Sequence, residues 1–149
     1  MDEIRPWLYI GNYGDTQDKE RLDLNSVQAV LQLAAPVNHA GITTLYLPVK
    51  DMSPIYPHFF KEGVEFVRSE KEKGHTILVA CAAGINRSTA FCIASLKEIE
   101  GLSLLNAFKE IKNNHSRSMP QEMVWESLCR YYKEDTSYID LLRASAQYY

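Results

Sequence analysis

Residues 80–88 read ACAAGINRS, a short run that holds the groups phosphoryl chemistry needs. Cys81 brings a thiol. Arg87, beyond five intervening residues, brings a guanidinium. Between them stand Ala82, Ala83, Gly84, Ile85 and Asn86. Small side chains and a glycine let such a loop curl so that successive backbone N–H groups point inward and form an anion nest. A guanidinium fork grips two phosphate oxygens at once. A free thiol is only about 3% ionised at pH 7. Inward N–H dipoles, a helix N-terminus and a cation all favour the thiolate. Below a bound phosphorus, that thiolate is placed for in-line attack, and the same donors would hold the equatorial oxygens of the transition state. A lone C-x5-R recurs by chance. Gly84, Ser88 directly after the arginine, and the strand–loop–helix setting make this one specific.

That setting is legible on both sides. Residues 76–80, TILVA, form a short apolar run that reads as a central strand. Residues 88–99 read as an apolar helix ending near Gly101. In open parallel sheets ligands gather beyond the carboxyl ends of strands, and the following helix presents its positive end to an anion.

A phosphoryl group leaving from a poor leaving group also needs a proton donor. Asp51 lies in the loop KDMSPIYP, thirty positions before Cys81. An acid on a loop after a strand end can reach over the pocket. On the residues alone, a solvated turn aspartate is an equal alternative.

Other elements must position these groups. Trp7–Ile10 reads as a strand ended by Gly11, residues 15–24 as one short helix, and Val27–Leu33 as a buried strand. Ile42–Val49 reads as another strand. After Pro57, which suits a helix first turn, Phe60, Val64 and Val67 recur at helical spacing. Lys71, Lys73 and Gly74 close that helix. Leu104, Phe108 and Ile111 mark a further helix. Val124, Leu128 and Tyr131 mark another, after Pro120, and residues 138–147 a last short one. Strands and helices alternate, then helices follow alone. This order predicts an α/β fold with a central, mostly parallel sheet flanked by helices and a helical C-terminal half.

Composition bounds the function. The 149 residues suit one domain, residues 1–149, and carry a net charge of −3 with 46% hydrophobic residues. No basic field favours nucleic acid or an anionic membrane. The N-terminus lacks the positive residues of a secretory signal, and no apolar run nears the roughly 20 residues that span a bilayer. Cys81, Cys92 and Cys129 are odd in number and widely spaced, a poor disulfide or zinc pattern. The expectation is a cytoplasmic protein without metal or cofactor. Cys92 and Cys129 read as packed core residues; a disulfide between Cys92 and Cys81 is the lesser alternative. His39, His58, His75 and His115 read as surface or capping residues. Tyr56 is placed to line the pocket rim, and the C-terminal YIDLLRASAQYY to cap the core.

Over residues 2–132 the sequence resembles the dual-specificity phosphatases of the protein-tyrosine-phosphatase superfamily, small single-domain members above all. EIRPWLYIGN is similar to that family's first strand segment, and LPVKDMSPIYPHFFKEGVEFV to its general-acid loop and next helix. CAAGINRSTA resembles its signature loop, and SLLNAFKEIKNNHSRSMPQEMVWESL its last conserved helical pair. The resemblance implies that Cys81 forms a phosphocysteine intermediate. Arg87 and the backbone of residues 82–87 would bind phosphate. Ser88 would hydrogen-bond the sulfur, and Asp51 would protonate the leaving oxygen and later activate water. It implies a phosphorylated protein substrate bearing phosphotyrosine or phosphoserine/threonine. Two positions depart from the family. Ala80 stands where a loop-bracing histidine is usual, which implies weaker stabilisation of the thiolate. Gln121 follows Pro120 where asparagine is usual, so its hydrogen bond to the loop is expected to differ. Asn86 before Arg87 is similar to the G-x-N-R-T pattern of RNA 5′-triphosphatases, a branch without an aspartate like Asp51 and disfavoured by the acidic composition. Phosphoinositide hydrolysis and a phospho-binding pseudophosphatase are the further alternatives.

Overall fold

The computed structural model describes residues 1–147. Residues 148 and 149, the end of the C-terminal run read as capping the core, lie outside the described residues. Five strands form one sheet in the order β1-β2-β5-β3-β4: β1 (Asp2–Arg5), β2 (Leu8–Asn12), β3 (Val27–Gln32), β4 (Thr43–Tyr46) and β5 (Thr76–Cys81). The pair β1–β2 is antiparallel and the other three pairs are parallel. The expected α/β architecture with a mostly parallel sheet is what the chain adopts.

Strand alternation divides β5 between two cores. Ile77, Val79 and Cys81 face the larger one. Leu78 and Ala80 face a smaller one with Leu22, Val27 and Val30. The helices follow the same division. On the smaller side lie α1 (Tyr13–Gln17) and α2 (Lys19–Leu24), whose Leu22 is buried. The larger core takes α3 (Pro57–Glu72), α4 (Arg87–Glu100), α5 (Leu104–Asn114), α6 (Glu122–Tyr132) and α7 (Tyr138–Ala146). Helix α4 is the axis of this layer: every residue from Arg87 to Leu96 is buried. It ends at Gly101, whose φ of 74° places it in the left-handed region. Helix α3 presents Phe60, Val64 and Val67 as its apolar stripe, with Pro57 in its first turn. Its Gly63 lies against Phe91 so closely that an added Cβ would come within 2.5 Å of the ring.

Several sequence-based boundaries shift, for local reasons. The single helix expected over residues 15–24 is two. Asn12 and Asp15 form a reciprocal capping box that starts α1 directly after β2. Asp18, at φ −97° and ψ 86°, then breaks the run and caps α2 by accepting from Arg21 N–H. The first parallel strand continues through Gly11 to Asn12, because Gly11 and Asn12 pair with Ala80 and Cys81 of β5. Strand β4 is shorter than its apolar pattern, since Pro48 has no N–H for a ladder; Leu47 N–H still bonds the Gln32 carbonyl, and the chain turns at Pro48, where Val49 N–H bonds the Leu47 carbonyl. Strand β1 carries no apolar alternation: its two exposed acidic residues suit a charged sheet edge. At the C-terminus Leu141 and Ala144 of α7 pack into the larger core, as the capping reading expects.

Candidate active site

The residues after β5 form a short loop leading into α4, at the carboxyl end of the central strand. Gly84 sits at φ 73°, and a Cβ there would meet the Gly11 carbonyl oxygen at 2.8 Å. Only glycine gives this backbone both the left-handed turn and the close approach. The loop is tied from outside. Its Ala82 carbonyl accepts from Tyr13 N–H at 3.2 Å, and its Ile85 carbonyl from Met119 N–H at 3.0 Å and from Thr89 Oγ1 at 2.7 Å. In a trans peptide the C=O of one residue and the N–H of the next point opposite ways. Outward carbonyls at Ala82 and Ile85 therefore turn the Ala83 and Asn86 N–H groups the opposite way, the disposition an anion nest needs.

Cys81 is buried at the base of this loop. Gly84 N–H donates to its Sγ at 3.3 Å, and the Cys81 thiol donates to Ser88 Oγ at 3.2 Å. When the sulfur is a thiolate, Ser88 becomes the donor. Arg87 is also buried. Its Nη1 donates to the Leu33 and Val49 carbonyls at 3.0 and 2.8 Å, which fixes the guanidinium plane. Its Nε is buried without a hydrogen-bond partner among the described residues. A buried cationic donor without a hydrogen bond is costly; the carboxylate of Asp51 faces this one within ion-pair range.

Asp51 comes to the same place from the other side. Its Oδ1 lies 3.5 Å from Arg87 Nε, and its side chain is half exposed. Met52 follows in a left-handed turn at φ 54°, and Met52 N–H donates to Asp51 Oδ1 at 3.0 Å. Asn86 joins three segments. Its Nδ2 donates to Asp51 Oδ1 at 3.2 Å and to Gln121 Oε1 at 3.1 Å, while its Oδ1 accepts from Gln121 N–H at 2.7 Å. Gln121, which departs from the family's asparagine, thus does bond the loop, through a reciprocal pair with Asn86. The structure brings together Cys81, Arg87, Ser88 and Asp51.

Other residues fall elsewhere. Burial, reinforced by charge on nearby Cys81, pushes the Cys92 thiol up, so it stays protonated. Cys129 is only partly buried; its thiol is pushed up by that burial and donates to the Thr136 carbonyl at 3.4 Å. Tyr56 is exposed and lines a hollow of about 450 Å³ with Pro48, Ile55 and Phe59, beside the Asp51 loop. His115 corrects the surface reading: it is buried, and its Nε2 reaches the Gly84 carbonyl at 2.7 Å. No spacing motif links positions 84 and 115, so sequence reasoning missed it. Among the described residues, no group of three or more His, Cys, Asp or Glu side chains is placed to share a metal ion.

Known proteins are similar to this chain in sequence and in fold. The family model described as "Dual specificity phosphatase, catalytic domain" matches residues 8–134. Human dual specificity protein phosphatase 22 is 32% identical over 124 residues, covering 80% of this chain and 67% of that protein. Human dual specificity protein phosphatase 5 is 33% identical over 137 residues, covering 89% of this chain but 35% of that longer protein. The crystal structure of human DUSP28 superposes with a TM-score of 0.84 at 24% identity, covering 89% of this chain and 96% of that one, a likeness of fold. Human tyrosine phosphatase-like serine/threonine/tyrosine-interacting protein gives a TM-score of 0.80 at 25% identity, covering 89% and 95%. The chain belongs to the dual specificity phosphatase family, the cysteine-dependent protein phosphatases, with the family's catalytic-domain pattern running from Leu8 to Glu134.

Proposed function

We propose that residues 1–149 act as one catalytic domain that hydrolyses phosphotyrosine and phosphoserine/threonine in proteins through a phosphocysteine intermediate. The observation that carries the reading is the buried Nε of Arg87, which makes no hydrogen bond beside the Cys81 loop and faces Asp51 Oδ1 at 3.5 Å. The phosphate dianion takes the Arg87 fork and the inward N–H groups of residues 82–87. The Cys81 thiolate attacks phosphorus as the oxygen of the substrate side chain departs, and Asp51 gives that oxygen a proton. Water then attacks the phosphocysteine, with Asp51 now taking its proton. Ser88 donates to the departing sulfur, which makes it a better leaving group.

The binding groups belong to phosphate, and Asp51, which faces Arg87, and Met52 after it are exposed. An open entry of that kind would admit short phosphorylated side chains as well as phosphotyrosine. A thiol that must stay reduced suits a cytoplasmic setting; among the described residues no helix is long and apolar enough to cross a membrane. The test is turnover of p-nitrophenyl phosphate, then of phosphotyrosine, phosphoserine and phosphothreonine peptides, a phosphoinositide and triphosphorylated RNA. Hydrolysis of the peptides in preference to the lipid and RNA is expected. Phosphate-analogue binding without any turnover would instead make the chain a pseudophosphatase.

A further inference from the structure

His115 lies between two acceptors. Its Nδ1 is 2.5 Å from Asp2 Oδ2 and its Nε2 is 2.7 Å from the Gly84 carbonyl oxygen. A carbonyl oxygen has no proton to give, and an ionised carboxylate only accepts. The Asp2 side chain is 52% exposed, so water supports its charge. A neutral imidazole carries one N–H and can satisfy only one of the two; the imidazolium satisfies both. The ring itself is buried.

We propose that His115 is a positioning residue of the phosphate loop: as an imidazolium clamped by Asp2, it holds the Gly84 carbonyl outward and so turns the Ile85 N–H into the cradle. The inference rests on the phosphatase reading above. The geometry of the trans peptide supplies the link, since the Gly84 C=O and the Ile85 N–H point opposite ways. Residues 115–121 form a strap along the outside of the loop, in which Met119 N–H holds Ile85 and Gln121 N–H holds Asn86. Those two ties use backbone amides. The His115 tie runs through an ionisable side chain. Its placement also answers the absence of a histidine at position 80. Ala80 points into the apolar cluster of Leu22, Val27, Val30 and Leu78 on the far face of β5, and the brace comes instead from the turn after α5.

Other charged groups lie on the neighbouring elements. From β1, Asp2 faces the ring, Glu3 stands opposite Tyr9 in the ladder, and Arg5 is held by Glu100 and Glu110. On α5, Lys112 donates to the Ser118 carbonyl. From the loop, Arg87 turns to the Leu33 and Val49 carbonyls and Cys81 to Ser88. Asp2 is therefore the charged group that faces the ring's Nδ1.

The experiment is sulfate binding, by calorimetry, in the Cys81→Ser, Asp51→Asn protein between about pH 5 and pH 8, where an imidazole titrates. Sulfate keeps its charge over that range, and the background removes the thiol and the carboxyl at the cradle. Affinity is expected to fall roughly ten- to a hundredfold as the pH rises, the size of a lost charged hydrogen bond. Adding His115→Arg, a permanent cation, flattens the profile. Adding His115→Gln leaves binding weak at every pH, and adding Asp2→Asn moves the fall to lower pH. Asp2→Asn reads the same clamp from an exposed side chain should either ring variant fail to fold in thermal unfolding. A flat profile in the background protein overturns the inference, as does an unmoved fall in folded His115→Arg or in Asp2→Asn. Failure to bind sulfate at any pH would instead refute the phosphate-loop reading beneath it.

Discussion

Residues 81–87 and residues 47–56 meet where Arg87 faces Asp51, and they are held in opposite ways. The first loop has Cys81, Gly84 and Arg87 buried, and outside donors from α1, from the 115–121 strap and from α4 reach its carbonyls. The second exposes Lys50, Asp51, Met52, Pro54 and Tyr56. Its anchors include the Leu47 N–H on the Gln32 carbonyl, the Val49 carbonyl on Arg87, the Ile55 N–H on Ser127 Oγ at 3.0 Å, and Asn86 and Arg87 on Asp51. Local opening costs least where exposed backbone has few buried contacts. The difference separates two tasks. Charge stabilisation needs donors fixed before the reaction. A proton donor must let substrate in and then close over it.

The largest effects should come from the fixed loop. Cys81→Ser removes the proposed nucleophile but leaves the loop backbone, so turnover of p-nitrophenyl phosphate should drop by roughly 10⁴-fold or more while the affinity for phosphate analogues persists. Steady-state kinetics beside calorimetry separates the two. Asp51→Asn probes the other loop. Alkyl phosphates with basic leaving groups should slow by roughly 10²–10⁴-fold, and activated aryl phosphates far less. An equal loss across leaving groups would assign Asp51 a structural role.

Gly84→Ala tests whether the first loop's rigidity is backbone geometry. It forces a methyl to within 2.8 Å of the Gly11 carbonyl oxygen at a positive φ. A loss of about 1–3 kcal/mol of stability is expected, read in denaturant unfolding, together with weaker phosphate binding. Unchanged stability would mean that the loop gives way easily and the contrast between the loops is wrong. The smallest effect belongs to the link between them. Asn86→Ala frees Asp51 from its side-chain tether and breaks the Gln121 pair. A loss of about 1 kcal/mol, or roughly fivefold in kcat/KM for poor leaving groups, is expected. Activated substrates should respond less, because they do not need the proton.

How much of this was legible in the sequence depends on the range of the signal. The run from Thr76 through Leu96 was readable because a β-branched apolar strand, a small-residue turn and an apolar helix are each local patterns, and the chemistry sits in the same run. Helix α3 was equally plain from Phe60, Val64 and Val67. Residues 13–24 were not, because Asp18 acts as both stop and cap and looks like any polar helix residue. Strand β1 was invisible for want of alternation. Ala80 is set against the family's histidine by residue type, a comparison that carries nothing of what surrounds it. Its apolar surroundings, and the His115 brace drawn from a segment more than thirty positions away, exist only once the chain is folded. The Asn86–Gln121 pair was hidden in the same way, since no spacing rule couples those positions.

The account stands most directly on what becomes of the phosphoryl group. Protein mixed with excess phosphorylated substrate, quenched in acid during turnover and digested, can be read by mass spectrometry. The account predicts one phosphoryl group on the peptide containing Cys81, present in the parent protein, absent from Cys81→Ser, and absent from Cys92 and Cys129. Turnover that proceeds with no phosphate on Cys81, or that survives Cys81→Ser, would contradict it.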